Sequence, residues 1–505
     1  MQRRHFLGGC AALSLGAFMP HVGIAASRDT LRIAWTQSYE NMDPYYGASR
    51  EGLIMARHVY DTLLYIDPLN GEISPLLARS WRWLDDVTLE FSLRDDVTFH
   101  NGYPFSADDV VETFNRVVQP DSGVKVRSIV EWMKGAEKLD DYTVRVYLAR
   151  PNPTALNSLA SQMGIHSARY FAEVGRDGVI RNPVGTGPYM VKSQETDQGA
   201  VLERFDGYFE GSVKGKPKIK TLEVKVIPDV NTQIANLMTG QIDWIWRVPS
   251  DVIDKVAGLP SVAVESAETM RYVAIAFDAA GRSGASPLQD ARVRKAFAYA
   301  VNRQSLRDNI IKGKSRVLHS PCFPAQFGCT SDVTQYDYNP ERARQLLAEA
   351  GYPDGLDLTM VAYTGKSETE AVAADLAKVG IRLNTRFLRS PIVRTMMENG
   401  EAQIVMLSWG SYSVSDVSAA ISMYFDGGGY DMTRDTEITA WVKAGDTSLD
   451  PEVRKRSYDL ALKRIAEQAY WLPLTTTVTN YAYVESLRFR APYDEVPTFF
   501  DCSWD

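Results

Sequence analysis

The chain has 505 residues, more than one hydrophobic core usually accommodates, so we expect two or three domains. Its 45% hydrophobic and 23% charged residues are typical of a globular protein. The formal net charge of −8 argues against nucleic-acid binding, which depends on a basic surface.

The first residues have the composition of an export signal rather than of a folded domain. Arg3 and Arg4 precede an apolar run, and small residues that end at Ala26 offer a cleavage site. The apolar run is shorter than the roughly 20 residues of a membrane anchor. A lipoprotein signal at Cys10 is disfavoured because Cys10 precedes most of that run. We therefore predict a twin-arginine signal peptide over residues 1–26 and a periplasmic mature protein.

Strand and helix signals follow one another in the N-terminal third of the chain. Residues 31–35 alternate between apolar and polar and predict a first strand. Residues 81–83 and 88–93 flank a short turn and predict a pair of antiparallel strands. A helix is predicted to begin after Ser106 as N-cap, with Asp109 at the third helical position in a variant of the capping box.

The same alternation continues to the end of the chain and predicts an α/β protein. Apolar runs indicate the strands, and apolar residues spaced at the helical period indicate the helices. The predicted helices are 230–238, 290–302, 339–350, 368–379 and 451–468, and the predicted strands are 142–148, 200–205, 221–227, 241–246, 272–277, 356–361, 381–387 and 404–409.

Two of the four cysteines lie close together. Cys322 and Cys329 are seven positions apart, which in an oxidising compartment favours a disulfide that closes a small loop. A metal site is the alternative, but only His319 is near enough in the sequence to join them. Cys502 remains without a predicted partner, and we expect it to be buried.

The sequence contains no recognisable catalytic or cofactor motif. It has no Gly-x-Ser-x-Gly, His-Glu-x-x-His or phosphate-loop pattern. An enzyme that uses a pair of carboxylates is the alternative, and turnover of candidate ligands would reveal it. We predict no enzymatic activity, no cofactor and no metal site, because the histidines of the mature chain are scattered at His58, His100, His166 and His319.

Five ordered segments carry a family resemblance that covers nearly all of residues 29–490. On these segments the chain resembles the bacterial extracellular solute-binding proteins of the peptide and nickel transport group, which serve ATP-driven importers. Most of these residues are expected to shape turns and helix starts rather than to contact ligand. The segments are 98–110, 182–189, 206–209 with 217–218, 290–303 and 338–353.

The resemblance implies a two-lobed periplasmic-binding-protein clamshell that closes over its ligand, with an additional subdomain on the N-terminal lobe. It also implies a small-molecule ligand and ABC transporter permease subunits as partners, and we expect a monomer. The expected boundaries are 29–60, 182–267 and 476–505 for lobe one, 61–181 for the inserted subdomain and 268–475 for lobe two.

The resemblance also indicates a ligand-binding strand in lobe two. In peptide-binding members of the group, a Trp ends this strand and an Asp three residues later pairs with the peptide's amino group. Trp409 matches the Trp, but Tyr412 stands at the Asp position. A neutral phenol cannot compensate a buried ammonium, so a peptide ligand is disfavoured unless Asp416 supplies the carboxylate.

Further candidate ligand-binding residues surround this strand. The hydroxyls of Ser411 and Ser413 suit hydrogen bonds to a polyhydroxylated or carboxylated ligand. Arg434 is either a two-pronged clamp for a carboxylate or a solvated surface charge. In lobe one the candidates follow the first strand, and they are Tyr39, Asn41 and Tyr45.

The identity of the ligand stays open at this point. A short peptide and a modified or opine-like amino acid are the expected classes, and the Tyr412 position favours a non-peptide or modified ligand. A metal chelate and a sugar-like solute are alternatives. A periplasmic sensor or chaperone with the same fold is a further alternative, which an adjacent importer operon would disfavour.

Overall fold

The computed structural model describes residues 29–411 and 414–505. The predicted signal peptide and two predicted ligand-binding residues, Tyr412 and Ser413, lie outside the described residues. Within those two ranges, no helix combines the length and the apolar character that crossing a membrane requires.

Strands and helices alternate along the chain, which confirms the predicted α/β class. In chain order the strands are β1 (Thr30–Trp35), β2 (Leu64–Ile66), β3 (Ile73–Pro75), β4 (Ala78–Asp85), β5 (Thr88–Leu93), β6 (Met133–Asp140), β7 (Thr143–Leu148), β8 (Tyr189–Glu195), β9 (Gly199–Arg204), β10 (Thr221–Val226), β11 (Trp244–Trp246), β12 (Val262–Phe277), β13 (Leu356–Ala362), β14 (Ile381–Phe387), β15 (Ile404–Trp409), β16 (Trp471–Val484), β17 (Leu487–Arg488) and β18 (Ser503–Trp504).

The helices lie between these strands, and several begin at the predicted caps. Ser106 and Asp109 form the predicted capping box, in which the Asp109 carboxylate accepts the Ser106 amide at 2.8 Å. In chain order the helices are α1 (Arg50–Val59), α2 (Ala107–Val117), α3 (Ala155–Ser161), α4 (Ala168–Arg181), α5 (Val230–Met238), α6 (Ile253–Ala257), α7 (Ala291–Ala300), α8 (Arg303–Ser305), α9 (Pro340–Glu349), α10 (Lys366–Ala377), α11 (Ser390–Asn399), α12 (Ser418–Phe425), α13 (Thr436–Thr447) and α14 (Pro451–Glu467).

One mixed sheet of ten strands runs through the molecule, in the order β14-β13-β15-β12-β16-β11-β1-β10-β9-β8. Its two longest strands, β12 and β16, pair antiparallel through the middle of the sheet. Strand β12 also pairs with β15, and β16 pairs with β11, so each long strand joins a different half of the sheet. The register between β12 and β16 shifts between Glu268 and Tyr272. Two strands shared by both halves, with an irregularity between them, are a geometry that permits hinge motion.

Separate apolar cores lie on the two sides of this irregularity. Trp35 and Trp244 are fully buried in one core, and Phe277 and Phe297 are fully buried in another. The separation supports the division that the sequence predicts, which we retain as a proposal: 29–60, 182–267 and 476–505 for lobe one and 268–475 for lobe two.

The proposed subdomain, residues 61–181, has a sheet of its own in the order β4-β5-β7-β6. Helix α2 packs on this sheet through Asn115, whose amide donates to the Ala136 carbonyl and accepts the Ala136 amide at 3.0 and 2.8 Å. A third apolar core fills the space between the sheet and the helices. Cys322 and Cys329 form a disulfide, and Cys502 is free and buried.

Candidate functional site

Two connected cavities between the lobes form the candidate ligand cleft. The first chamber has a volume of about 390 Å³ and the second about 460 Å³. They share Ile129, Gln162 and Trp409, so one ligand can extend from one chamber into the other. The charged and aromatic residues that line the first chamber are Asp43, Arg50, Arg271, Tyr363, Arg394 and Trp409.

Three arginines from three different elements face the first chamber. Arg50 begins helix α1, Arg271 lies in β12, and Arg394 lies in α11. Arg271 donates to the Glu495 carboxylate at 2.9 and 3.1 Å, and Arg50 lies 3.9 Å from the same carboxylate. Arg394 has no hydrogen bond or ion pair within residues 29–411 and 414–505, and its guanidinium carbon lies 5.8 Å from the Trp409 ring centre. The chamber therefore has more positive than negative charge.

The pKa values around Glu495 show how strongly this cluster is desolvated. Burial lowers the pKa of Arg50 below its ordinary value, and the neighbouring Arg271 charge adds to this effect although Glu495 opposes it. Burial also opposes ionisation of Glu495, but the charges of Arg271 and Arg50 outweigh burial and lower its pKa. A second anion in the chamber would relieve the repulsion between these half-buried guanidiniums.

Asp43 also lines the first chamber, but its carboxylate already faces protein groups. One oxygen accepts the amides of Tyr45 and Tyr46 at 2.8 and 3.0 Å. The other lies 2.9 Å from Nε2 of His166, whose Nδ1 lies 2.8 Å from the Arg116 guanidinium. Because arginine can only donate, His166 accepts at Nδ1, and its Nε2 lies on the side of Asp43. Asp43 therefore fixes the wall of the chamber rather than offering a free charge.

The lobe-one residues predicted from the sequence lie behind this wall, and none of them lines either chamber. Tyr39 donates to the Gly199 carbonyl at 2.9 Å, and Asn41 accepts the Asp43 amide at 2.9 Å. Tyr45 is fully buried, and burial raises the pKa of its phenol well above the ordinary value. The residues from this part of the chain that line the cavity lie between Asp43 and Leu53.

Of the lobe-two residues predicted from the sequence, Trp409 lines both chambers. Its indole N–H donates to the Ala419 carbonyl at 2.6 Å. The guanidinium of Arg394, from helix α11, lies over the face of its ring. Ser411 is fully buried and does not line the cleft. Tyr412 and Ser413 lie outside the described residues, so their roles stay predictions.

Asp416 and Arg434 do not line the cleft, in contrast to the sequence prediction. Both oxygens of Asp416 accept from Arg454, at 2.8 and 2.9 Å, and the side chains of this pair are each only 6% exposed. This buried cation neutralises Asp416, so it has no free charge for a ligand ammonium. Arg434 is exposed and donates to the Gly427 carbonyl, which corresponds to the surface-charge alternative.

Sequence reasoning missed Arg50, Arg271 and Arg394. The position of Arg50 in the sequence could have indicated a functional role. A cation at the first residue of a helix interacts unfavourably with the helix dipole, so its presence there suggests a purpose other than helix stability. Arg271 and Arg394 have no comparable local signal. Their importance follows only from their shared position around one cavity.

The second chamber has the opposite excess of charge. Its lining contains Glu131, Asp426 and Asp446 together with one cation, Arg150. Asp446 accepts from Ser422 and from the Tyr458 hydroxyl, each at 2.8 Å, and burial raises its pKa to about 6. Within the described part of the chain no group of histidine, cysteine or carboxylate side chains is arranged to hold a metal ion.

The raised pKa of Asp446 predicts a pH-dependent effect of Asp446→Asn. In the folded protein Asp446 keeps its proton up to about pH 6, whereas in the unfolded chain it ionises near pH 3.8. Its contribution to the free energy of unfolding is therefore fully present below pH 3.8 and is lost as the pH rises through 6. The variant should therefore be more stable than wild type at pH 7.5 by about 1–3 kcal/mol. Urea unfolding at pH 7.5 and pH 4 measures the difference, which should vanish at pH 4.

The exposed Asp354→Asn serves as the control and should change stability at neither pH. Equal stability of Asp446→Asn and wild type at pH 7.5 would contradict the raised pKa.

Comparisons with known proteins place this chain in a family. Residues 72–431 match the family model described as bacterial extracellular solute-binding proteins, family 5 Middle. Heme-binding protein A of Haemophilus influenzae is 27% identical, with 84% of this chain and 82% of that protein covered. Glutathione-binding protein GsiB of Salmonella paratyphi A is 25% identical, with 94% of each chain covered. Di/tripeptide-binding protein 2 of Pseudomonas aeruginosa is 27% identical, with 79% of each chain covered.

Solved structures show the same fold at lower identity. HbpA2 from Haemophilus parasuis superposes with a TM-score of 0.82 at 23% identity, covering 94% of this chain and 100% of that chain. The substrate-binding protein CtaP from Listeria monocytogenes superposes with a TM-score of 0.82 at 22% identity, covering 94% and 99%. These matches support the predicted two-lobed clamshell.

Proposed function

Because the chain belongs to the bacterial extracellular solute-binding proteins of family 5, we propose that it is the periplasmic substrate-binding component of an ABC importer. In this proposal it captures a small solute that has at least one carboxylate and delivers it to the membrane permease without enzymatic turnover. The observation that carries the ligand class is the first chamber, where Arg50, Arg271 and Arg394 converge.

A carboxylate in this chamber would be held from both sides of the cleft. Arg50 comes from the segment after β1, Arg271 from the long strand β12, and Arg394 from helix α11 of the second half of the sheet. Guanidinium groups bind carboxylates with two parallel hydrogen bonds. A ligand that contacts both sides only when the lobes are close shifts the population toward the closed form, which the permease can recognise.

The ligands named for the relatives agree with a carboxylate but do not share one framework. The names of these relatives specify heme, glutathione and di- or tripeptides. All of these molecules have carboxylate groups, but the heme macrocycle differs from the peptide framework that glutathione shares with di- and tripeptides. The relatives therefore support a negatively charged group on the ligand. Which framework is accepted depends on the shape and the side chains of the second chamber.

The second chamber supports a ligand longer than the carboxylate end alone. It adds about 460 Å³ beyond Trp409 and contains both aromatic and hydroxyl side chains, including Trp132, Tyr430 and Ser418. A short peptide or an opine-like amino-acid conjugate fits this arrangement. The pairing of Asp416 with Arg454 removes the predicted substitute for the carboxylate that holds a peptide's amino group. This favours recognition through the acid groups of the ligand.

Native mass spectrometry of protein purified from its own host tests the proposal directly. Ligands shut between two lobes often survive gentle purification, and unfolding then releases them for identification. We expect an acid with at least one carboxylate. A released ligand without any carboxylate, such as an uncharged sugar, would overturn the proposed ligand class.

Titration calorimetry with glutathione and with its dimethyl ester gives a second test. If glutathione binds, masking both carboxylates should weaken binding by about a hundredfold, because buried guanidiniums would then face neutral esters. Equal affinity for acid and ester would contradict the role of the arginines. If glutathione does not bind, the acid released from the native protein and its methyl ester replace it in the same comparison.

A further inference from the structure

The disulfide closes a loop, residues 322–329, that is tightly organised, with Cys322, Phe323 and Gln326 buried. Gln326 is 3% exposed, and its side-chain oxygen accepts the Phe323 amide at 2.9 Å. The Gln326 carbonyl accepts the Cys329 amide at 3.1 Å. Gly328 has a φ of 79°, and an added Cβ would lie 2.8 Å from the Tyr458 ring, so only glycine fits there. The loop therefore has one well-defined conformation.

This loop holds the segment that follows the ligand-binding strand β15. We call residues 414–418 the cleft segment, because Val414 and Ser418 line the second chamber. The Gln326 side-chain amide donates to the Val414 carbonyl at 2.9 Å. The Phe327 amide donates to the Ser415 carbonyl at 3.1 Å, and the Phe327 carbonyl accepts the Val417 amide at 3.0 Å. The disulfide loop thus makes hydrogen bonds with three residues of the cleft segment, Val414, Ser415 and Val417.

The other side of the loop contacts the wall of the first chamber. The ring of Phe323 stacks on Tyr493, with ring centres 6.2 Å apart and planes 7° apart. The Tyr493 carbonyl accepts the Met270 amide at 2.9 Å, directly before Arg271. Two residues after Tyr493 lies Glu495, the carboxylate that holds Arg271 in the first chamber. The loop therefore connects elements that border both chambers.

We propose that the disulfide loop 322–329 positions the walls of the ligand cleft, and that Cys322, Cys329 and Gln326 are positioning residues for ligand binding. The ligand cleft itself rests on the proposed function. The disulfide restricts the loop to few conformations. Gln326 and Phe327 are thereby held where they form hydrogen bonds with the cleft segment. Because that segment is already ordered, it loses little conformational entropy when the ligand binds.

Hydrogen–deuterium exchange tests the positioning without any ligand. Gln326→Ala removes the bond to Val414 and leaves the disulfide intact. Cys322→Ser combined with Cys329→Ser removes the disulfide and leaves Gln326. In both variants the amides of the cleft segment should exchange about tenfold faster, as expected for the loss of a hydrogen bond. Amides of β13, which has no hydrogen bond to the loop among the described residues, should exchange at the wild-type rate.

The control is Gln335→Ala, which changes an exposed glutamine whose side chain donates a long hydrogen bond to the Ser331 carbonyl, at 3.5 Å. It should leave exchange unchanged. Unchanged exchange of the cleft segment in Gln326→Ala would overturn the proposal. An equal rise in β13 would also overturn it, because the loop would then stabilise lobe two as a whole. If the double variant does not fold, Gln326→Ala decides the question alone.

Calorimetry with glutathione then tests the consequence for binding. Wild type should bind about tenfold more tightly than Gln326→Ala, and Gln335→Ala should bind like wild type. If Gln326→Ala binds as tightly as wild type although its cleft segment exchanges faster, the proposed role of the loop in ligand binding is wrong. If wild type does not bind glutathione, the acid released from the native protein is the probe. If the native protein releases a ligand that is not a carboxylic acid, the proposed function is contradicted. The hydrogen-exchange result still decides whether the loop positions the cleft segment.

Discussion

Replacing Arg394 by glutamine is expected to weaken ligand binding by about a hundredfold or more, because truncating one partner of a buried charge pair costs about 2–5 kcal/mol. The melting temperature of the empty protein should hardly change, since Arg394 has no ion pair or hydrogen bond within residues 29–411 and 414–505 that the substitution would break. Calorimetry with glutathione, or with the acid released from the native protein, measures the affinity, and a thermal scan of the empty protein measures the stability.

The matched control is Arg389→Gln, which removes an equal charge five residues earlier. Arg389 is exposed and lines neither chamber, so its loss should reduce affinity by less than about threefold, as for a screened surface charge. Equal losses in the two variants would mean that only the overall charge of the protein attracts the ligand. Wild-type affinity in Arg394→Gln would remove Arg394 from the site.

Replacing Asp416 by asparagine is expected to destabilise the protein by about 3–5 kcal/mol, the typical cost of leaving one member of a buried ion pair without its partner. Arg454, which binds both Asp416 oxygens, would remain buried among Phe327 and Tyr458 without a compensating charge. Urea unfolding followed by tryptophan fluorescence measures the loss. The double change of Asp416→Leu and Arg454→Met should recover most of it, because no buried charge is then left unpaired.

The control for this stability effect is an exposed ion pair in the same lobe. Asp357 and Arg382 pair at 2.7 Å, and their side chains are 76% and 54% exposed. Asp357→Asn should cost less than about 1 kcal/mol. Normal stability of Asp416→Asn together with loss of peptide binding would show that Asp416 is the carboxylate that holds a peptide's amino group, and would contradict its structural role.

Local features of the fold were predictable because their causes lie within a few residues. The capping box at Ser106 and Asp109 depends on hydrogen bonds between neighbours in the sequence, and it forms as predicted. The family resemblance extended this local reading to the two-lobed fold, because its segments mark turns and helix starts that fix the path of the chain. The position of Trp409 in the cleft also agrees with that resemblance.

The charge of the ligand site was decided only by the tertiary structure. Arg50, Arg271 and Arg394 belong to a helix start, a long shared strand and a helix of the other half of the sheet, and they meet only where these elements surround one cavity. Asp416 similarly looked free until the fold brought Arg454, 38 residues away, against it. The free energy of a buried charge depends on what surrounds it in space, and sequence distance does not encode those neighbours. The sequence alone therefore determined the fold, and the packing of distant elements decided which charges face the candidate cleft.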